Sequence, residues 1–354
     1  MSAPMVAEKH VGQTTLMDEV PPDDKRALPP PTAPESIDVS LRGFEDKATA
    51  ERFGHVIADA VRGISRYINL QRLDGITVAF DYDEALAQLD RGYSASKALT
   101  RTGTDKLVGV AMSPAVLRNG AVKSHMVFHA PFVLGLEEPD TENFRRAFYL
   151  VAHECGHVED LKERDEAFPE TILRRPFANN EEAILGQFSA AVWEEYAASR
   201  VSAIFGEDLT AIYEQSFTSV LGVARNQAEA AIRSYRLHGD IIRVVEQAGN
   251  SLCEPLRMAA YLIGHLDGIA ADFDLAPQAR DELATSTYAN FVRRLADGLR
   301  DLWSRRGRWS TLAEFDVLKE IGRDALADGG VILKLLPDGQ LYVDIPFTPS
   351  TMPI

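Results

Sequence analysis

The stretch His153-Glu154-Cys155-Gly156-His157 concentrates more chemistry than any other part of the chain. The apolar run Phe148-Tyr149-Leu150-Val151-Ala152 leads into it, which predicts a helix buried on at least one face. Helical residues four apart are separated by only about 40° around the axis, so the two imidazoles face one side, one turn apart, at a spacing that suits a shared divalent ion. Glu154 is rotated by about 100° from His153. It therefore flanks such an ion without ligating it, where a base for a metal-activated water belongs. Cys155 points away from both imidazoles and reads as a small buried filler, and Gly156 leaves room for another element to approach.

Two histidines do not complete a catalytic zinc site, which normally takes a third protein ligand and leaves one position for water. A third histidine further along the same helix is ruled out, because Asp160 and Glu163 occupy the relevant positions. The segment Trp193-Glu194-Glu195-Tyr196-Ala197-Ala198-Ser199-Arg200 offers the best alternative. Adjacent glutamates on a largely apolar helix are costly to bury unless a cation compensates them. Glu195 is favoured over Glu194, since the residue one turn later is Ser199, able to orient a histidine, rather than Ala198. The expected ligand set is thus His153, His157 and Glu195 around Zn2+, a metal that suits two imidazoles and a carboxylate. With Glu154 as the base that takes a proton from water and returns it to a departing amine, the chemistry is hydrolysis. Tyr196, Tyr235, His238 and His129 stand as open alternatives for stabilising the oxyanion. A strand around Val127-Phe128-His129, if at a sheet edge, would pair with an extended substrate.

The motif, followed 38 residues later by Glu195-Tyr196-Ala197-Ala198-Ser199, resembles the gluzincin pattern of H-E-x-x-H and then E-x-x-A/S-D on a second helix. Within that group it is similar to ImmA/IrrE-type metallo-endopeptidases over residues 105–200. The departures are Cys155, where the family carries Phe, Leu or Ile, and Ser199, where it carries Asp. The resemblance implies a zinc-dependent endopeptidase with a zincin-like core of strands, active-site helix and second ligand-bearing helix. It also implies a protein or peptide substrate, with transcriptional regulators among the partners. A different class of reading is a regulatory or scaffold protein on a metallopeptidase fold, its metal site non-catalytic; the base at Glu154 argues against it.

The elements that must position these residues can be read from periodicity. Phe53, Ile57, Val61, Ile64 and Ile68 mark a helix over residues 45–70, and residues 75–80 a short strand. A helix is expected over 83–89. Apolar runs at 107–112 and 122–134 flank the turn signal Arg118-Asn119-Gly120 and predict a β region whose second strand is an edge or ends at Pro131. From Thr141 the pattern is helical: 141–162, 182–205, 209–248, 254–273, 278–304 and 312–327, before a hairpin at 331–345 around Pro337-Asp338-Gly339. The expected class is α+β and mostly helical. Three regions follow: a disordered proline-rich arm over 1–40, a metallopeptidase core over 41–205, and a helical C-terminal region over 206–354. The arm holds seven of the 18 prolines, and one role for it would be to occupy the cleft.

Composition bounds the partners. With 37 Lys and Arg against 53 Asp and Glu, the net charge is −16, which disfavours duplex nucleic acid and anionic membranes. No apolar run reaches membrane-spanning length. Two cysteines cannot build a disulfide framework, and residues 1–10 lack a basic-then-apolar leader, so a cytoplasmic protein is expected. Arg305-Arg306-Gly307-Arg308 reads as a solvated loop, and Arg174-Arg175 as either a cover for the cleft or surface salt bridges.

Overall fold

The computed structural model describes residues 28–95, 98–101 and 109–352. The fold is α+β and mostly helical, with a small mixed sheet. The sheet half comprises β1 (Val39–Arg42), α1 (Lys47–Ile64), β2 (Leu73–Ala79), α2 (Tyr82–Ala87), β3 (Ala111–Met112), β4 (Ala115–Arg118) and β5 (Ala121–His129). The helices α3 (Glu142–Ala167), α4 (Asn180–Ser202), α5 (Thr210–Leu221), α6 (Ala224–His238) and α7 (Ile241–Gly268) follow. Then come α8 (Pro277–Thr285), α9 (Ala289–Ser304), α10 (Asp316–Asp328) and the hairpin β6 (Ile332–Leu335) and β7 (Leu341–Asp344). No helix among the described residues is long and apolar enough to cross a membrane.

In the sheet, β1 and β2 run parallel, β2 and β5 run parallel, and β3 and β4 both pair antiparallel with β5. Asn119 and Gly120, at φ 52° and 80°, make the two-residue turn between β4 and β5, a conformation that favours these residue types. β5 stops at His129, and Pro131 lies in a 3-10 turn immediately after it. β5 is nevertheless central: Val127 pairs with Thr77 on one side and Met112 on the other. Both sets of its backbone groups are engaged, so Val127-Phe128-His129 cannot accept a substrate strand. The short β3 is the edge on that side.

The apolar stripe of α1 (Phe53, Ile57, Val61, Ile64) is fully buried against the sheet together with Val151, Ala152, Cys155 and Val158 of α3. A second core gathers Val192, Trp193, Tyr196 and Ala197 of α4 with residues of α5, α7, α9 and α10. The α3–α4 pair is the seam between them, and the second core draws on residues on both sides of position 205. Glycines set the closeness of this stack. A Cβ at Gly156 would lie 2.8 Å from Ala198 Cα, and one at Gly264 would lie 2.4 Å from the Tyr196 carbonyl oxygen. Hence α4 is pressed between α3 and α7 at backbone contact.

Of the expected proline-rich arm, residues 1–27 lie outside the described residues, as does any role for them in the cleft. Pro29–Pro31 are exposed as expected, but the stretch is anchored to the end of α1. Thr32 Oγ1 donates to the Ser65 and Ile68 carbonyls and accepts from Leu70 N, and Arg66 and Arg62 donate to the Pro29 and Glu35 carbonyls. The 209–248 pattern is cut at Gly222 and at Gly239, the latter at φ 69°, into α5, α6 and the start of α7. Conversely, α7 runs unbroken through residues 249–253, where a break was expected, and carries Pro255 within it. Of the 107–112 run, 107 and 108 lie outside the described residues, and 111–112 form β3.

Candidate metal centre

Thr141 caps α3, its Oγ1 accepting from Phe144 N at 3.1 Å, and the helix then runs 26 residues with the motif at mid-length. Both imidazoles leave it on the same side: His153 Nε2 and His157 Nε2 stand 3.2 Å apart. Each of His153, Glu154 and His157 offers a donor atom within 4.8 Å of the others. From α4, Glu195 Oε2 approaches the same point, 3.4 Å from His153 Nε2 and 3.5 Å from His157 Nε2. That oxygen is buried and makes no hydrogen bond among the described residues, so its contacts with the imidazoles are those of ion pairs without hydrogen-bond geometry. Burial alone would depress the His157 imidazole, but the Glu195 carboxylate outweighs it and carries the pKa up to about 9. Burial would raise Glu195, and the two histidines outweigh that and hold it well below the ordinary carboxylate range.

The two glutamates of α4 part company. Glu194 Oε1 accepts from Arg164 Nη2 at 2.5 Å, and Arg164 Nε donates to Asp160 Oδ2 at 2.7 Å. Asp160 is fully buried and its other oxygen accepts from Trp193 Nε1 at 2.7 Å. Glu194 is thereby an ion-pair partner one turn along α3, while Glu195 alone faces the histidines. The reason given for Glu195 from sequence is not the one the structure supplies. Ser199 Oγ and His153 Nδ1 are both buried without a hydrogen bond among the described residues. It is the pairing of Glu194 with Arg164 that separates the neighbours.

Glu154 is buried, and its Oε2 accepts a hydrogen bond of 2.7 Å from Ser113 Oγ, just beyond β3. Ser113 in turn is fixed by Ser124 Oγ, which donates to its carbonyl at 2.9 Å. One carboxylate oxygen of Glu154 is therefore tied to the edge of the sheet, and the other accepts no hydrogen bond among the described residues. The His153 ring lies between Tyr149 (centroids 6.5 Å apart, 24°) and Tyr261 (5.7 Å, 14°), with His157 edge-on at 4.9 Å.

Tyr261 and its neighbour one turn earlier, Arg257, belong to α7 and were missed. Burial pushes the Tyr261 phenol well above its ordinary value, and Glu195 beside it pushes further. Arg257 Nη1 is 3.9 Å from Glu195 Oε1. The signal was available: Arg257 is a charged residue flanked by Leu256 and Met258 in an apolar helix, the criterion that singled out Glu194 and Glu195. None of the four oxyanion candidates makes a hydrogen bond, ion pair or ring contact with His153, His157 or Glu195 among the described residues. Tyr196 OH donates to Asp267 Oδ2, 2.8 Å away. His238 Nδ1 accepts from Asp240 N at the end of α6, where Tyr235 stacks on the His238 ring edge. His129 stacks on Tyr82.

The donor set fits a tetrahedral zinc ion. Bonds of about 2.0–2.1 Å in tetrahedral geometry separate ligand atoms by about 3.3–3.4 Å, close to the 3.2, 3.4 and 3.5 Å between the two imidazole nitrogens and the carboxylate oxygen. An unpartnered buried carboxylate oxygen facing two ring nitrogens is an arrangement that a cation relieves. Comparison with protein-family models, with curated proteins and with solved structures finds no match.

Proposed function

We propose that this chain is a zinc-dependent peptidase, with His153, His157 and Glu195 as metal ligands and Glu154 as general base. The observation that carries the reading is the convergence of three donor atoms from two helices, 3.2 to 3.5 Å apart, with a second carboxylate, that of Glu154, held beside them by Ser113. The zincin-like arrangement of edge strand, active-site helix and second ligand-bearing helix, the resemblance to ImmA/IrrE-type endopeptidases, and a cytoplasmic protein or peptide substrate all belong to this reading.

Bound between these ligands, zinc supplies Lewis acidity that lowers the pKa of a coordinated water towards about 7. The residues of the chain do the rest. Ser113 Oγ holds Glu154 Oε2, so Glu154 Oε1 is the atom that takes the proton from the attacking water. As the C–O bond forms and the peptide C–N bond breaks, that proton passes to the departing nitrogen. The tyrosines on either side of His153 keep its ring from turning, and the apolar faces of α3 and α4 exclude water from behind the ligands.

Glu154→Gln is the decisive variant. It should retain one zinc per chain while hydrolysis of an unfolded-protein peptide library falls by about 10²–10⁴, the usual contribution of a positioned acid–base group. Zinc-loaded wild-type protein that leaves every peptide of the library intact would count against a peptidase and for the scaffold reading.

A further inference from the structure

The guanidinium of Arg257 is divided between two uses. Its Nε and Nη2 donate side-on to Glu254, at 3.1 and 2.6 Å, an i,i+3 pair on α7. Its Nη1 makes no hydrogen bond among the described residues and lies 3.9 Å from Glu195 Oε1, beyond hydrogen-bond length. The opposite oxygen of that carboxylate is the one that meets the two imidazoles. Arg257 thus borders the ligand set with a donor-bearing nitrogen to spare, and the side chain is only 24% exposed. Burying a guanidinium is costly, and one carboxylate already offsets it; two unspent N–H donors beside a cation site fit an oxyanion that arrives from outside. Arg delivers such donors at fixed angles, and Glu254 fixes the plane.

We propose that Arg257 forms an anion subsite beside the metal position that takes oxygen of the tetrahedral intermediate, with Glu254 as the residue that positions it. The inference rests on the peptidase reading above and adds to it the group that answers the developing negative charge. Of the arginines on α3 and α4, Arg164 is committed to Asp160 and Glu194, and Arg200 to Asp267.

Inorganic phosphate, a tetrahedral oxyanion, serves as the probe, titrated calorimetrically into zinc-loaded full-length protein. Wild type should bind it, and Arg257→Ala should weaken binding by about tenfold or more, as loss of a charge-assisted hydrogen bond does. Arg257→Lys should recover part of the loss, and Glu254→Gln should lie between wild type and Arg257→Ala. Zinc affinity, measured by competition with a chromophoric chelator, should be unchanged in all of them, since Arg257 makes no hydrogen bond to Glu195 among the described residues. In turnover the loss should fall on kcat with KM nearly unchanged, since the contact forms only as charge develops. Phosphate affinity unchanged in Arg257→Ala, or no phosphate binding by zinc-loaded wild type, overturns the Arg257 assignment alone. Zinc lost in step with phosphate also overturns it, and makes Arg257 a support for Glu195. A wild-type protein that takes up no zinc overturns the peptidase reading and this one together.

Discussion

Glu194 and Glu195 are chemically identical and adjacent, yet they occupy different worlds. One completes an ion pair with Arg164, and the other meets two histidines. Replacing Glu195 with Ala should lower zinc affinity by about 10²-fold or more, whereas Glu194→Ala should leave the zinc content at one per chain and cost stability instead. Metal analysis of the two purified variants after dialysis checks this, and equal zinc loss in both would refute the ligand assignment. At this scale the juxtaposition of the two histidines was legible: their shared face follows from helical geometry, and the expense of burying charge singled out Glu194 and Glu195. Arg257 stood out only as a charge in an apolar helix, and Tyr261 not at all, because their relation to the histidines is made by packing across about 100 positions of chain, which no local spacing encodes.

The closeness of α3 and α4 depends on the absence of one side chain. A Cβ at Gly156 would fall 2.8 Å from Ala198 Cα and 2.9 Å from Val201 Cγ2, both on α4. Backbone offers no easy retreat, so Gly156→Ala should force the helices apart. A loss of about 1–3 kcal/mol is expected by chemical denaturation, the usual cost of overpacking, together with weaker zinc binding as Glu195 is drawn from the imidazoles. Unchanged stability and zinc affinity would show that the pair has slack. Most elements were legible as periodicity: the α1 stripe, the Asn119-Gly120 hairpin, the capped start of α3 and the last hairpin all lie where their residues place them. Misreadings came where a tertiary contact overrode a local signal. Pro255 is carried within α7 because its helix is packed along α4, and Val127-Phe128-His129 gained partners on both sides because β3 and β2 close on it.

Across the whole molecule, the far end of α9 returns to the motif helix. Arg306, expected in a solvated loop, is partly buried against Glu159 and Glu163 of α3, at 3.0 and 2.5 Å, and its guanidinium stacks on Trp303. Glu159 also accepts from Asn69 N, and so joins the sheet half to the helical half. The Arg174 and Arg175 side chains take the plainer of their two expected roles, in ion pairs with Glu170 and Glu182. Burial raises Glu163 from 4.5 to about 7, although Arg306 pulls the other way. A carboxyl group raised in the folded state contributes stability that is full below pH 4.5 and is lost as pH rises through 7. Glu163→Gln should remove that slope, leaving the variant more stable than wild type above pH 7 by on the order of 1 kcal/mol after screening. Parallel denaturation curves from pH 5 to 8 test it, and identical slopes for the two proteins would refute it.

Because α4 is pressed on both flanks, by α3 through Gly156 and by α7 through Gly264, the ligand-bearing pair has no free-standing form. A fragment cut after residue 205 would keep every residue of the HExxH signature and its glutamate. It would also bare the apolar flank from Val192 to Ala197 to water and leave Glu195 without the wall that encloses it. The motif itself is local in sequence, but the closeness of Glu195 to the two imidazoles is a property of three stacked helices, and removing the outermost would loosen the inner pair.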